Sequence, residues 1–128
     1  MKLLLDTHAL LWWWEGDRRL SLRARDAMSA ADADIYVSAA TAWEIATKVR
    51  IGKLPAARRL AEQFETGLAE QGFRQLAITV EHGSCAGSLK GDHRDPFDRI
   101  LAAQSTIEEL PVVSADARIG RFGAEMLW

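Results

Sequence analysis

The chain has 128 residues, enough to bury the core of one domain of ordinary size and too few for two. At 48% hydrophobic and 27% charged residues, with only three prolines, it has a globular composition, which excludes a disordered linker or a fibrous repeat. The net charge of -2 argues against a partner held by bulk positive charge, and no apolar run approaches the ~20 residues of a membrane span, so a cytoplasmic protein with no membrane partner is expected.

Lys2 to Leu5 reads as a central parallel strand, because its apolar residues are continuous instead of alternating. Asp6 caps a helix whose apolar side is Ala9 to Trp13 and which ends at Gly16 and Asp17. Trp12, Trp13 and Trp14 cannot all face one core from a helix, so at least one should be partly exposed, where a dimer or partner contact could use it. Ser21 opens a second helix, Leu22 to about Ala31, with Leu22 and Met28 inward, and Ile35 to Ser38 has the β-branched and aromatic content of a strand.

A third helix runs from Ala40 to Ile51 and stops at Gly52, with Pro55 just beyond. Arg58 to Gln71 reads as a fourth helix closed by Gly72, Phe73 to Ile78 as a strand, and Val80 to Leu89 as a short helix containing Cys85. That lone cysteine permits no internal disulfide and is expected to be a buried, inert thiol. Asp95-Pro96 opens the clearest helix: Asp95 at the N-cap, proline at the first helical position, and Phe97, Ile100, Leu101, Gln104 and Ile107 at helical intervals up to Pro111. Val112 to Ser114 is a short strand, Asp116 caps a helical turn, and Glu125 to Trp128 returns as a final strand.

Strands alternating with helices predict a single α/β domain spanning 1–128, with a mostly parallel sheet of four or five strands and helices on both faces. In such sheets ligands sit beyond the carboxyl ends of the strands. Asp6 and Asp116 follow strands, and Glu44 lies in the second turn and Asp98 in the first turn of helices that start at the same edge, so topology brings four acids together. Clustered carboxylates repel unless a cation neutralises them, and oxygen donors suit Mg²⁺ or Mn²⁺. Such an ion activates water for phosphodiester hydrolysis.

Each acid also has a purely structural reading. Asp6 and Asp116 can be helix caps, Asp98 can complete a capping pair with Asp95, and Glu44 can be a surface partner of Lys48, opposite an apolar stripe of Ala42, Ile45, Ala46 and Val49. Arg99, Arg118 and Arg121 are candidate phosphate contacts, and Ser114 could orient Asp116 or a bound water. The bases Lys48, Arg50, Lys53, Arg58 and Arg59, with no acid among them, form either a phosphate or partner surface or a solvated helix face. Setting four metal-binding acids aside from 18 leaves 14 against 16 bases, a slightly positive remainder. His8, His82 and His93 lack zinc-site spacing, although His8 could neighbour the acids.

The opening Leu3-Leu-Leu-Asp6-Thr-His8, the stretch Val37 to Lys48 with Trp43-Glu44, the segment Arg94-Asp-Pro-Phe-Asp98 through Gln104, and the ending Val113-Ser-Ala-Asp116 with Trp128 together resemble PIN domains, and more closely the VapC toxins of VapBC toxin–antitoxin pairs. The resemblance covers nearly the whole chain. It implies that Asp6, Glu44 and Asp98 form an acidic triad with Asp116 a more variable fourth member, that the cofactor is Mg²⁺ or Mn²⁺, and that the activity is endonucleolytic cleavage of RNA, with transfer and ribosomal RNA as candidate substrates. It further implies a homodimer and a VapB-type antitoxin whose C-terminal segment lies near the active site. A PIN fold that binds RNA or a partner without cutting remains the alternative. A receiver-type signalling domain fits poorly, because it needs adjacent acids after the first strand and Thr7 follows Asp6.

Overall fold

The computed structural model describes residues 1–128. Five strands form one sheet: β1 (Lys2–Leu5), β2 (Asp34–Ser38), β3 (Arg74–Leu76), β4 (Val112–Val113) and β5 (Met126–Leu127). Their spatial order is β3-β2-β1-β4-β5, and every neighbouring pair is parallel. Eight helices intervene: α1 (Thr7–Glu15), α2 (Leu22–Ser29), α3 (Ala39–Arg50), α4 (Arg58–Glu62), α5 (Phe64–Glu70), α6 (Val80–Ser88), α7 (Pro96–Glu108) and α8 (Ala117–Gly120). The expected parallel α/β architecture is what the chain adopts.

Alternation along β1 divides the core in two. Leu3 and Leu5 point into a large apolar cluster with Leu10, Met28, Ile45, Leu60 and Leu68, contributed by α1 to α5. Leu4 points the other way, to Leu101, Ala102 and Ile119 of α7 and α8. All three leucines are fully buried, each stabilising the fold by about 1.5–3 kcal/mol, which is why an uninterrupted apolar run was readable as a strand covered on both sides.

Several expectations need correction. Leu22 faces solvent, 77% exposed, while Ala24 and Met28 carry the inward stripe. Ser21 accepts from the Ala24 amide, which fixes the start of α2, and Leu22 then lies ~200° around the axis from Ala24. The anticipated helix 58–71 is broken at Gln63, whose φ of -127° and ψ of 40° leave the helical region, so α4 and α5 are separate. In α5, Gly67 lies against Trp14: a Cβ there would stand 2.8 Å from the indole. The strand expected from Phe73 to Ile78 is only three residues long, because its partner β2 ends at Ser38, where α3 begins. Cys85 is half-buried instead of buried.

The three tryptophans of α1 are all half-buried. Trp12 packs against Trp128 at 5.7 Å between ring centroids, with the Arg19 guanidinium 5.1 Å from its ring. Trp13 meets Phe73 and donates to Gln71 Oε1. No helix is long and apolar enough to cross a membrane.

Candidate active site

The strand order has its switch point at β1: the chain builds β2 and β3 on one side of it and β4 and β5 on the other. A crevice is expected beyond the carboxyl ends of strands at such a point. One is present, about 180 Å³, and entirely polar or charged. Asp6 enters it from the end of β1, Glu44 from the second turn of α3, Asp98 from the first turn of α7 and Asp116 from the cap of α8. All four sequence-predicted acids therefore line one cleft.

Asp6 does two jobs. Its Oδ1 accepts from the Ala9 amide at 2.7 Å, capping α1, and the carboxylate is only 6% exposed. Burial pushes its pKa up to about 6, with proximity to Asp98 adding to the rise, while the Ser114 hydroxyl, the Ala9 amide and His8 pull it back. The cap explanation is thus correct but incomplete, because capping alone does not require burial beside another acid.

Glu44 is where the reading of a surface residue fails. It is 5% exposed, and Ala46, assigned to the apolar stripe, is the exposed residue. The inward face of α3 is Ala40, Thr41, Glu44 and Ile45, so Glu44 lies on the core-side face, not opposite it. Thr7 donates its hydroxyl to Glu44 Oε1 at 2.6 Å, and Lys48 bonds the other oxygen. The i,i+4 pair anticipated from spacing is real, but it stands in the wall of the cleft.

Asp98 does not complete a cap. Asp95 alone caps α7, accepting from Phe97 and Asp98 amides, as Pro96 at the first position suggested. Asp98 Oδ2 instead accepts from His93 Nε2. Its pKa is raised, chiefly by burial and further by Asp95 and Asp116, against the lowering effect of His93. Asp116 is held the opposite way: Arg118 grips both its oxygens, the nearer contact being 2.8 Å, and lowers its pKa. The Asp116 amide in turn donates to Ser114 Oγ, so Ser114 orients this turn as anticipated.

A simple charge pattern results. Glu44 has Lys48 and Asp116 has Arg118, Asp98 is hydrogen-bonded to His93, and no ion pair neutralises Asp6. A buried carboxylate without a cation, amid other oxygen donors, is the environment a hard divalent ion relieves. The residues present fit such an ion. The tightest grouping of potential ligand atoms is nevertheless His93, Asp95 and Asp98, within 4.8 Å of one another, while Glu44 and Asp116 are each in an ion pair.

Sequence reasoning missed Thr7 and His93, and read Lys48 as a surface partner of Glu44 or as part of a basic phosphate or partner surface. Position beside Asp6 was the available signal for Thr7; for His93, a loop residue five positions before Asp98, there was none without the fold. Arg99 does not face the cleft as a phosphate contact. Its guanidinium donates to the carbonyls of His93, Ala86, Leu89 and Gly91, holding the loop before α7. Arg118 and Arg121 do line an adjoining cavity. The basic run from Lys48 to Arg59 is split, with Lys48 bound to Glu44 and Arg58 to Glu62. His8 lines the cleft, its ring 5.5 Å from Trp12.

An all-parallel α/β domain whose acids converge at the carboxyl edge of its sheet is the class of protein that fold and cleft define. Its family is the PIN domain: the family pattern matches residues 3–125, and the chain belongs to it. Nuclease activity is a general property of that family, and its members typically use divalent metals. The fold is similar to that of VapBC2 from Rickettsia felis bound to a DNA fragment from their promoter, with a TM-score of 0.69 at 15% identity over 98% of this chain and 96% of that one. It is similar also to FitAcB from Neisseria gonorrhoeae, with a TM-score of 0.69 at 19% identity over 98% and 96% of the two chains. A toxin–antitoxin complex from Klebsiella pneumoniae gives a TM-score of 0.65 at 18% identity over 92% and 89%. No curated protein matches the sequence.

Proposed function

We propose that this protein, acting as one PIN unit over 1–128, is a Mg²⁺- or Mn²⁺-dependent endoribonuclease, the toxin of a type II toxin–antitoxin pair. The observation that carries the reading is Asp6: buried, in no ion pair and near Asp98 in a cleft lined by further acids. Asp6 and Asp98 would hold the ion, with Glu44 and Asp116 completing the oxygen-rich wall directly or through water. When bound, a divalent ion lowers the pKa of the attacking water and stabilises charge on the scissile phosphate and leaving oxygen. Thr7 and Lys48 fix the rotamer of Glu44, and His93 fixes that of Asp98, so the acids are oriented before substrate arrives. Lys48 and Arg118 supply positive charge at the cleft wall, where a phosphate would sit.

Similarity to toxin–antitoxin complexes supports a VapB-type antitoxin as partner. The homodimer, the cytoplasmic location and transfer or ribosomal RNA as substrate rest on the sequence and its resemblance to VapC toxins alone. The test compares wild type with Asp6→Asn and Asp98→Asn on total cellular RNA, with Mg²⁺ or with EDTA, and maps the ends produced. Discrete cuts are expected only from wild type with Mg²⁺. Equal cutting by both variants rejects the mechanism, and intact RNA in every lane favours a binding module that does not cut.

A further inference from the structure

We infer that the open edge of the sheet at β3 is a docking site for an extended segment of a protein partner. The segment adds to β3 as a further strand, seats an apolar side chain in a groove between α3 and α5, and meets Glu65 with a basic residue. The groove shares no lining residue with the acid cleft, so this site stands or falls independently of the nuclease reading.

The strand order leaves β3 at one end of the sheet, paired with β2 and with nothing beyond it. An edge strand turns part of its backbone N–H and C=O groups outward, where they are a template for another chain. Beside this edge lies a groove of about 420 Å³. The buried side chains of Val37 and Leu68 form part of its lining, with Ala42 of α3, Phe64 of α5, and Leu76 and Ala77 at the end of β3. Val37 and Gln75 are register partners in neighbouring strands, so both project to the groove's face of the sheet. Gln75 is exposed, because no strand lies outside it. A strand laid against β3 places every second side chain on that same face, and the one abreast of Gln75 stands at the mouth of the groove.

Charge around the groove selects the occupant. Glu65 is the one charged residue that lines it, is exposed, and pairs with no cation, whereas Glu62, three residues earlier, is held by Arg58. The base on β3 itself, Arg74, is committed to Asp34. A nucleic acid finds no free cation here, and its phosphates would face a carboxylate. The apolar surface also continues past the groove, to Ile78, 39% exposed, and Val80, 91% exposed, neither of which belongs to a core cluster. An extended peptide with apolar residues at alternate positions and a Lys or Arg among them supplies what this edge leaves open: backbone partners, an apolar side chain and a cation.

The test is selection of random displayed peptides of about eight residues on the purified full chain, followed by fluorescence anisotropy of those enriched. They are expected to share apolar residues two positions apart with a Lys or Arg nearby. Methylating alternate backbone amides of such a peptide is expected to weaken binding about tenfold in one register and little in the other, the signature of strand addition. Glu65→Lys, an exposed change, is expected to lose about tenfold and to flatten the salt dependence, with the melting temperature of wild type retained. Ala42→Glu puts a charge into the groove and is expected to lose about tenfold as well. Should Ala42→Glu disturb α3, the methylated peptides and Glu65→Lys still decide. Equal loss from methylation in both registers, or full affinity in Glu65→Lys, overturns the site. Absence of any enriched peptide also overturns it, and a concentration-dependent dimer dissociated by Ala42→Glu would then give the groove to a second copy of the chain.

Discussion

His93 Nε2 lies 2.7 Å from Asp98 Oδ2, so a residue in the loop before α7 holds an acid in the first turn of that helix. The bond favours the ionised carboxylate and opposes the rise in pKa that burial imposes. Replacing His93 by Ala removes that opposition, and Asp98 is then expected to ionise at higher pH. The acid limb of the pH–rate profile should move upward, with activity near neutrality falling roughly 10- to 100-fold, the worth of one hydrogen bond to a charged group. Single-turnover cleavage measured across pH checks this; a limb that stays in place removes His93 from the machinery.

Asp6 makes the stability of the metal-free protein depend on pH. With its folded-state pKa raised to about 6, the native state keeps a proton that the unfolded chain gives up near 3.8. That contribution is complete below pH 3.8 and is lost as pH rises through about 6, a fall of up to about 3 kcal/mol. Asp6→Asn cannot ionise. In EDTA it is expected to unfold at higher denaturant than wild type near pH 8 and to lose most of that advantage near pH 4. Mg²⁺ should raise the melting temperature of wild type near pH 8 and leave that of Asp6→Asn unchanged. A variant as responsive to Mg²⁺ as wild type would mean that Asp6 is no ligand.

Much of the fold and cleft was legible in the sequence, for identifiable reasons. A run such as Leu3-Leu4-Leu5 can satisfy only a strand covered on both faces, and Asp95-Pro96 states a helix start in covalent terms, since proline needs no amide partner there. Parallel topology then brought the four acids to one edge without any knowledge of side-chain contacts. What escaped were relationships between distant segments. The break at Gln63 has no glycine or proline to announce it. Glu44 looked like surface because its pairing with Lys48 is the same at i,i+4 whether the helix face meets solvent or the mouth of a cleft. His93 looked like loop, and becomes a partner of Asp98 only once α7 is docked.

Thr7 tests how far orientation of Glu44 matters. Its hydroxyl donates at 2.6 Å to Glu44 Oε1, and the pair is buried. Thr7→Val keeps the shape and β-branching but leaves that oxygen without its partner, at a cost of about 1–3 kcal/mol to stability. Cleavage is expected to fall several-fold at saturating Mg²⁺, because Lys48 still holds the other oxygen. Thr7→Ser should restore most of the rate. If Val and Ser variants cut equally, the hydroxyl plays no part in positioning.

Arg99 separates loop order from phosphate binding. Four of its five N–H donors are engaged by backbone carbonyls, so it has almost no capacity left for RNA, although the sequence made it a candidate phosphate contact. Its ring neighbour Phe122, 5.1 Å from the guanidinium, covers it further. Arg99→Lys preserves the charge and loses the planar fork, which is expected to cost about 2–3 kcal/mol and lower the melting temperature by several degrees. Amide exchange should accelerate selectively in residues 89–94, because that loop loses its anchor. The salt dependence of RNA binding should keep its slope, since no phosphate contact has been removed. A flatter slope with unchanged loop exchange would return Arg99 to the RNA surface and take the loop anchor away from it.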